Sequence, residues 1–151
     1  MHYSRKDFGL LSNQELYEIL RLRSEVFVVE QTCIYQDMDG KDKDALHVIG
    51  TEHDEILSYA RILKPNLESD SFSIGRVIVS ESKRGSGEGH RLMTFCLNTV
   101  KELFFANEVY ISAQAHLEKF YNYHGFQATG KRYLEDGIPH CEMVLNFNNN
   151  P

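Results

Sequence analysis

Seven consecutive residues, Arg84-Gly85-Ser86-Gly87-Glu88-Gly89-His90, have the types and spacing to hold an anion. Glycines let the main chain turn sharply and bring its N–H groups close to a ligand. If a helix follows, its first unpaired amides add a partial positive charge at the same place. A pyrophosphate suits such a cradle, and Arg84 could add a charge-assisted bond. Two common phosphate loops are excluded by spacing. The nucleotide P-loop requires Gly-Lys-Ser/Thr, whereas Gly89 is followed by His90-Arg91. The dinucleotide pattern G-x-G-x-x-G is one residue longer than Gly85-x-Gly87-x-Gly89.

Other groups with chemical potential point nowhere definite. Seven histidines show neither H-E-x-x-H nor a cysteine at ligand spacing, so no metal is expected. Asp37-x-Asp39-Gly40 has its glycine fourth and Val48 twelfth, which does not fit a calcium loop. Cys33, Cys96 and Cys141 are odd in number and widely spaced, suggesting neither a disulfide framework nor a zinc site.

The elements that must position the glycine loop are legible. Ser73–Val79 is rich in β-branched residues and reads as a buried strand before it. Leu92, Met93, Cys96, Val100 and Leu103 repeat at helical spacing after it, with Cys96 on the apolar side. Upstream, Ser12-Asn-Gln-Glu15 predicts a capping box opening the first helix, with Leu16, Ile19, Leu20, Val26 and Phe27 on one face. Ala45–Gly50 and Ile56–Leu63 read as strands. Downstream come a strand at Glu108–Ala113, a short helix at His116–His124, and strands at Phe126–Tyr133 and Cys141–Phe147. The tail from Asn146 to Pro151 is expected to fray. Strands arrive both as hairpins and across helices, so the reading is a single α/β (α+β) domain with a mixed sheet.

Bulk properties are those of a soluble globular chain. Its 151 residues can bury a core without staples, and 42% are hydrophobic and 25% charged. No apolar run approaches a membrane span, and no signal stretch follows Met1, so a cytoplasmic protein is expected. The net charge of −6 argues against nucleic acid as a partner.

Arg84-x-x-Gly87-x-Gly89 between strand and helix resembles the coenzyme A loop of the GNAT superfamily of N-acetyltransferases. Phe120-Tyr-Asn-Tyr-His-Gly-Phe126 resembles that superfamily's second motif, an aromatic pair followed by Gly-Phe. Leu22–Gln31, Asp37–Asp42, Tyr59-Ala-Arg61, Ile74–Val79 and Asp136–His140 are together similar to its ElaA-like branch, over about Phe8 to Leu145. Glu88 departs from the pattern, where a neutral residue is usual. Its carboxylate is expected to point away from the phosphates.

The resemblance implies a sheet of six to seven mostly antiparallel strands and transfer of an acetyl group from acetyl-CoA to a primary amine. The coenzyme would be held by Val77, Ile78 and Val79 through their backbone, by Arg84, Gly85, Ser86, Gly87, Glu88, Gly89 and His90, and by Gln114 and Tyr121. Tyr121 is the implied acid for the departing thiolate. For the base, His47, Glu142, His140 and Asp37 all stay open. His140 leads because Gly-Ile-Pro suggests a rigid turn before it, and imidazole suits proton transfer near neutrality. The stretch 30–44 is expected to cover the acceptor, either a small molecule or a peptide amine. A homodimer is left open. A module that binds acyl-CoA without turnover is the alternative.

Overall fold

The computed structural model describes residues 1–149. A seven-stranded sheet runs in the order β1-β2-β3-β4-β5-β7-β6. The strands are β1 (His2–Asp7), β2 (Leu46–Glu52), β3 (Glu55–Leu63), β4 (Phe72–Val79), β5 (Glu108–Gln114), β6 (Gln127–Glu135) and β7 (Ile138–Asn146). Every neighbouring pair is antiparallel except β4–β5, which is parallel. The sheet is therefore mixed, as the pattern of hairpins and crossovers requires.

Helix α1 (Asn13–Arg23) begins at the anticipated box: the Ser12 hydroxyl accepts from Glu15 N, and the Glu15 carboxylate accepts from Ser12 N. A wider π-helical stretch, Ser24–Glu30, continues it. Ile19, Leu22 and Val26 pack on Ile49, Tyr59 and Ile78 on one face of the sheet. Helix α2 (Glu88–Leu103) covers the other face, burying Leu92, Met93, Cys96 and Val100 against Val48, Ala60, Ile62 and Ile74. The short α3 (Glu118–Tyr123) delivers Tyr121 to that same core, and Phe126 joins it just before β6.

Three differences from the sequence reading have physical causes. Strand β1 escapes pattern recognition because His2-Tyr-Ser-Arg-Lys-Asp7 is a polar edge strand without apolar alternation. The presumed turn before His140 is already strand: Asp136–Gly137, both with positive φ, make the hairpin bend, and Ile138, Pro139 and His140 pair with Glu135, Leu134 and Tyr133. Asn146 closes β7 rather than fraying, and the Phe147 amide donates to the Asn107 carbonyl. Asn150 and Pro151 of the expected frayed tail lie outside the described residues.

The feature that makes a site is local. β4 pairs with β5 only over Phe72–Ile74. Beyond Ile74 a bulge opposite Ala60 inserts one extra residue, with Arg76 at φ 51. A bulge bends its strand, and from here β4 stays with β3 while parting from β5. The groups of Val77–Val79 that would bond β5 are left facing a gap.

Candidate active site

The gap opens into a cavity of about 1230 Å³ that runs between β4 and β5 and out on both sides. At one end lies the glycine loop. Gly87, with φ 83, is the residue before the first turn of α2, and Gly85 has φ 77. Both values belong to the left-handed region that favours glycine. A Cβ on Gly87 would also approach Arg91 to 3.4 Å. Gly89 lies against the Phe120 ring, where a Cβ would meet carbon at 3.3 Å. The loop thus presents bare backbone at the N-terminus of a 16-residue helix.

Most residues singled out for the coenzyme line this cavity: Val77, Ile78, Val79, Arg84, Gly85, Gly87, Glu88, Gly89, His90, Gln114 and Tyr121. Ser86 does not, and its hydroxyl donates instead to the Lys83 carbonyl at 2.6 Å. Glu88 is buried, and its carboxylate accepts from the Tyr3 hydroxyl and from Arg91. It is satisfied within the protein on the β1 side. His90 stacks with Phe120, and its Nδ1 lies 2.9 Å from His124 Nε2.

Tyr121 is held edge-on between Phe120 and Phe126. It is 5% exposed, and among the described residues its hydroxyl has no hydrogen-bond partner. Burial pushes this phenol well above its ordinary range, with a smaller push from Cys96, so it keeps its proton through neutral pH.

On the opposite side Asp39, Arg61 and Arg76 line the cavity, backed by the buried Arg23, Asp37 and Asp42. Arg23, fully buried at the end of α1, donates Nε to Asp37 at 2.8 Å and Nη1 to Asp42 at 2.7 Å. Arg61 on β3 donates to Asp39 at 2.6 Å and to Asp42 at 3.0 Å. Arg76, at the bulge, donates Nε to Asp37 at 2.7 Å. The Arg61 hydrogen bonds hold the Asp39 carboxyl below the carboxylate range against its burial. Burial pushes Asp42 upward, but Arg23 and Arg61 outweigh it and the net direction is down. Arg61 Nε is the one side-chain polar atom wholly sealed from solvent among the described residues that has no partner.

These placements bear on the four base candidates. His47 is fully enclosed: Nε2 must donate to the Asp42 carbonyl at 2.8 Å, and Nδ1 accepts from the Tyr59 hydroxyl at 2.7 Å. Burial lowers its affinity for a second proton. Asp37 is committed to Arg23 and Arg76, and Glu142 accepts from Thr129 near Lys131. Neither His47, Asp37 nor Glu142 lines the cavity, whereas His140 does.

The segment after the π-helical stretch lies across the cavity mouth. Glu30 accepts from Arg84 at 2.8 Å, Gln31 exchanges amide bonds with Gln114 at 3.3 and 3.5 Å, and the Cys33 thiol donates to the Asp136 carbonyl. Sequence reasoning put this region over the site but missed its tethers. It also passed over Arg76, Ser112, Tyr133 and Glu135. Reading Asp136-Gly137 as a two-residue hairpin bend would have placed Glu135 diagonally beside His140.

A seven-stranded mixed sheet parted beside a parallel pair, with a glycine loop opening a helix at the gap, defines an acyltransferase of the GNAT class. The family model described as "Acetyltransferase (GNAT) domain" matches residues 8–147, and the chain belongs to that family. Within it the chain is of the ElaA-like branch. It is 48% identical to Protein ElaA of Escherichia coli over 136 residues, 89% of each chain. The crystal structure of an acyl-CoA N-acyltransferase from Pseudomonas aeruginosa superposes with a TM-score of 0.90 at 42% identity, covering 95% of this chain and 98% of that one. An aminoglycoside 6′-N-acetyltransferase complexed with coenzyme A shares the fold, with a TM-score of 0.74 at 14% identity and coverage of 100% and 99%. Among the described residues no helix is long and apolar enough to cross a membrane, and no cluster of three potential ligands could hold a metal.

Proposed function

We propose that this protein moves an acetyl group from acetyl-CoA to a primary amine, a small molecule or a peptide, by direct attack. The observation that carries the reading is the unpaired edge of β4, which faces a gap with bare loop amides at one end and an unbonded phenol in its wall. Pantetheine is an amide chain, and the free backbone of Val77–Val79 is suited to pair with it as a missing strand would. The diphosphate belongs at Arg84–His90, with Gly87 and Gly89 leaving room for close approach.

Within this reading the acceptor enters beneath the stretch 30–44, and His140 takes a proton from its ammonium. The freed lone pair attacks the thioester carbonyl, the C–N bond forms and the C–S bond breaks. Tyr121 gives its proton to the leaving thiolate and is restored by the second proton of the attacking nitrogen. A buried phenol that stays protonated at neutral pH suits this acid role. A cytoplasmic setting, where acetyl-CoA is made, goes with the reading.

The test is thiol release from acetyl-CoA across a panel of primary amines, beside calorimetric binding of the coenzyme. Release with at least one amine is expected in the wild type, and loss of coenzyme binding in Gly87→Val. Tight binding with no release for any amine would favour a module that binds acyl-CoA without turnover. Undiminished binding by Gly87→Val would remove the loop from the site.

A further inference from the structure

Around His140 stands a cluster of side chains to which the proposed mechanism gives no role. On the shared face of β5, β6 and β7 lie Ser112, Tyr133, Glu135 and His140. His140 Nδ1 is 2.7 Å from the Ile138 carbonyl. A carbonyl oxygen only accepts, so Nδ1 carries the proton, and Nε2 is the nitrogen left to gain or lose one. Nε2 lies 3.2 Å from Glu135 Oε2. That contact becomes a hydrogen bond only when Nε2 is protonated.

The carboxylate is itself held in place. The Tyr133 hydroxyl bonds Ser112 Oγ, and Ser112 Oγ donates to Glu135 Oε2 at 3.4 Å. The Tyr133 ring stacks on the imidazole with 14° between planes. Glu135 and His140 both line the cavity, and the Glu135 side chain is about half exposed to it (53%) while His140 is nearly covered (9%). The remaining groups facing the pair are Gln114 from β5, Glu142 from β7, Asp136 in the hairpin bend, and Gln31 and Cys33 from the segment above. Glu142 is engaged by Thr129 and Lys131, so Glu135 is the carboxylate in contact with the ring.

Building on the proposed function, we infer that Glu135 is a positioning residue for the acceptor and its base: its carboxylate receives the incoming ammonium beside His140 Nε2 and then stabilises the imidazolium. One N–H bond of the ammonium breaks and one Nε2–H bond forms, so the cation moves from the acceptor to the ring while Glu135 stays anionic. The ring later releases that proton to solvent. The acceptor class that follows is an amine that arrives protonated, such as an alkylamine.

The experiment follows kcat and KM against pH for wild type, Glu135→Gln and Glu135→Asp, using acetyl-CoA with butylamine, 1,4-diaminobutane and glycinamide. Glu135→Gln should lose about tenfold to a hundredfold in kcat/KM, the worth of a hydrogen bond to a charged group, with a raised KM for the amine. Glu135→Asp should recover part of both effects. Coenzyme binding should not change in either variant. A wild type that releases thiol, with Glu135→Gln matching it or losing rate with an unchanged KM for the amine, overturns the role of Glu135 alone. A wild type that binds coenzyme and releases thiol with none of the amines overturns the functional reading as well.

Discussion

The two sides of the cavity are built from opposite materials. The glycine-loop side offers main-chain amides, bare at Gly85 and Gly87 where φ is positive, while its polar side chains Arg84, Ser86 and Glu88 are tied elsewhere in the protein. The aspartate–arginine side is nearly all side chain, with Arg23, Arg61 and Arg76 interlocked with Asp37, Asp39 and Asp42. In the proposed function the bare backbone would read the diphosphate of the coenzyme, and the side-chain network would stand on the side of the acceptor. The two halves of the reaction would then be served by different kinds of structure.

If this contrast holds, substitutions should fail differently on the two sides. Arg23→Met should cost most, about 3–5 kcal/mol in urea unfolding, because Asp37 and Asp42 lose a buried countercharge. A loss under about 1 kcal/mol would show that Arg61 and Arg76 suffice. Next comes Tyr121→Phe, expected to lower kcat about a hundredfold with coenzyme affinity unchanged. Unaltered turnover would take the phenol out of the chemistry. Gly85→Ala is smaller still. Nothing lies within 4 Å of the added Cβ, so only backbone strain of about 1–2 kcal/mol opposes it. Stability should fall by that amount and coenzyme binding should weaken less than tenfold, whereas a full loss would reveal a contact rather than a conformation.

Acid should act on the aspartate–arginine network. Asp39 and Asp42 bind protons less readily folded than unfolded. Their stabilisation is therefore complete above the ordinary Asp value of 3.8 and drains as pH falls through their lower folded values. Urea midpoints measured downward from neutrality should hold steady and then fall once below about pH 4. Stability that stays flat to pH 3 would mean the pairs contribute nothing net.

The same division explains what could be read in advance. The glycine loop, the strand before it and the helix after it depend on neighbours in sequence, and the capping box at Ser12–Glu15 formed where its spacing put it. The Glu88 carboxylate, on the first residue of α2, is engaged by the Tyr3 hydroxyl and Arg91. The aspartate–arginine network was illegible because its members are spread from position 23 to 76 and only the fold joins them. Arg23 looks like a surface residue at the end of an amphipathic helix, yet it is fully buried. Glu135 is hidden for a smaller reason, since a turn placed at Gly-Ile-Pro before His140 overlooks the Asp136–Gly137 bend that sets the strand register. Strand β1 gave no apolar rhythm to find.

The kink at Arg76 ties the halves together mechanically. An arginine occupies a backbone conformation that glycine would adopt at less cost, and its guanidinium is bolted to Asp37 across the wall. That grip pins β4 at the bulge beyond which it no longer pairs with β5. In the proposed function, the strand edge offered to one substrate would thus be anchored from the side on which the other stands.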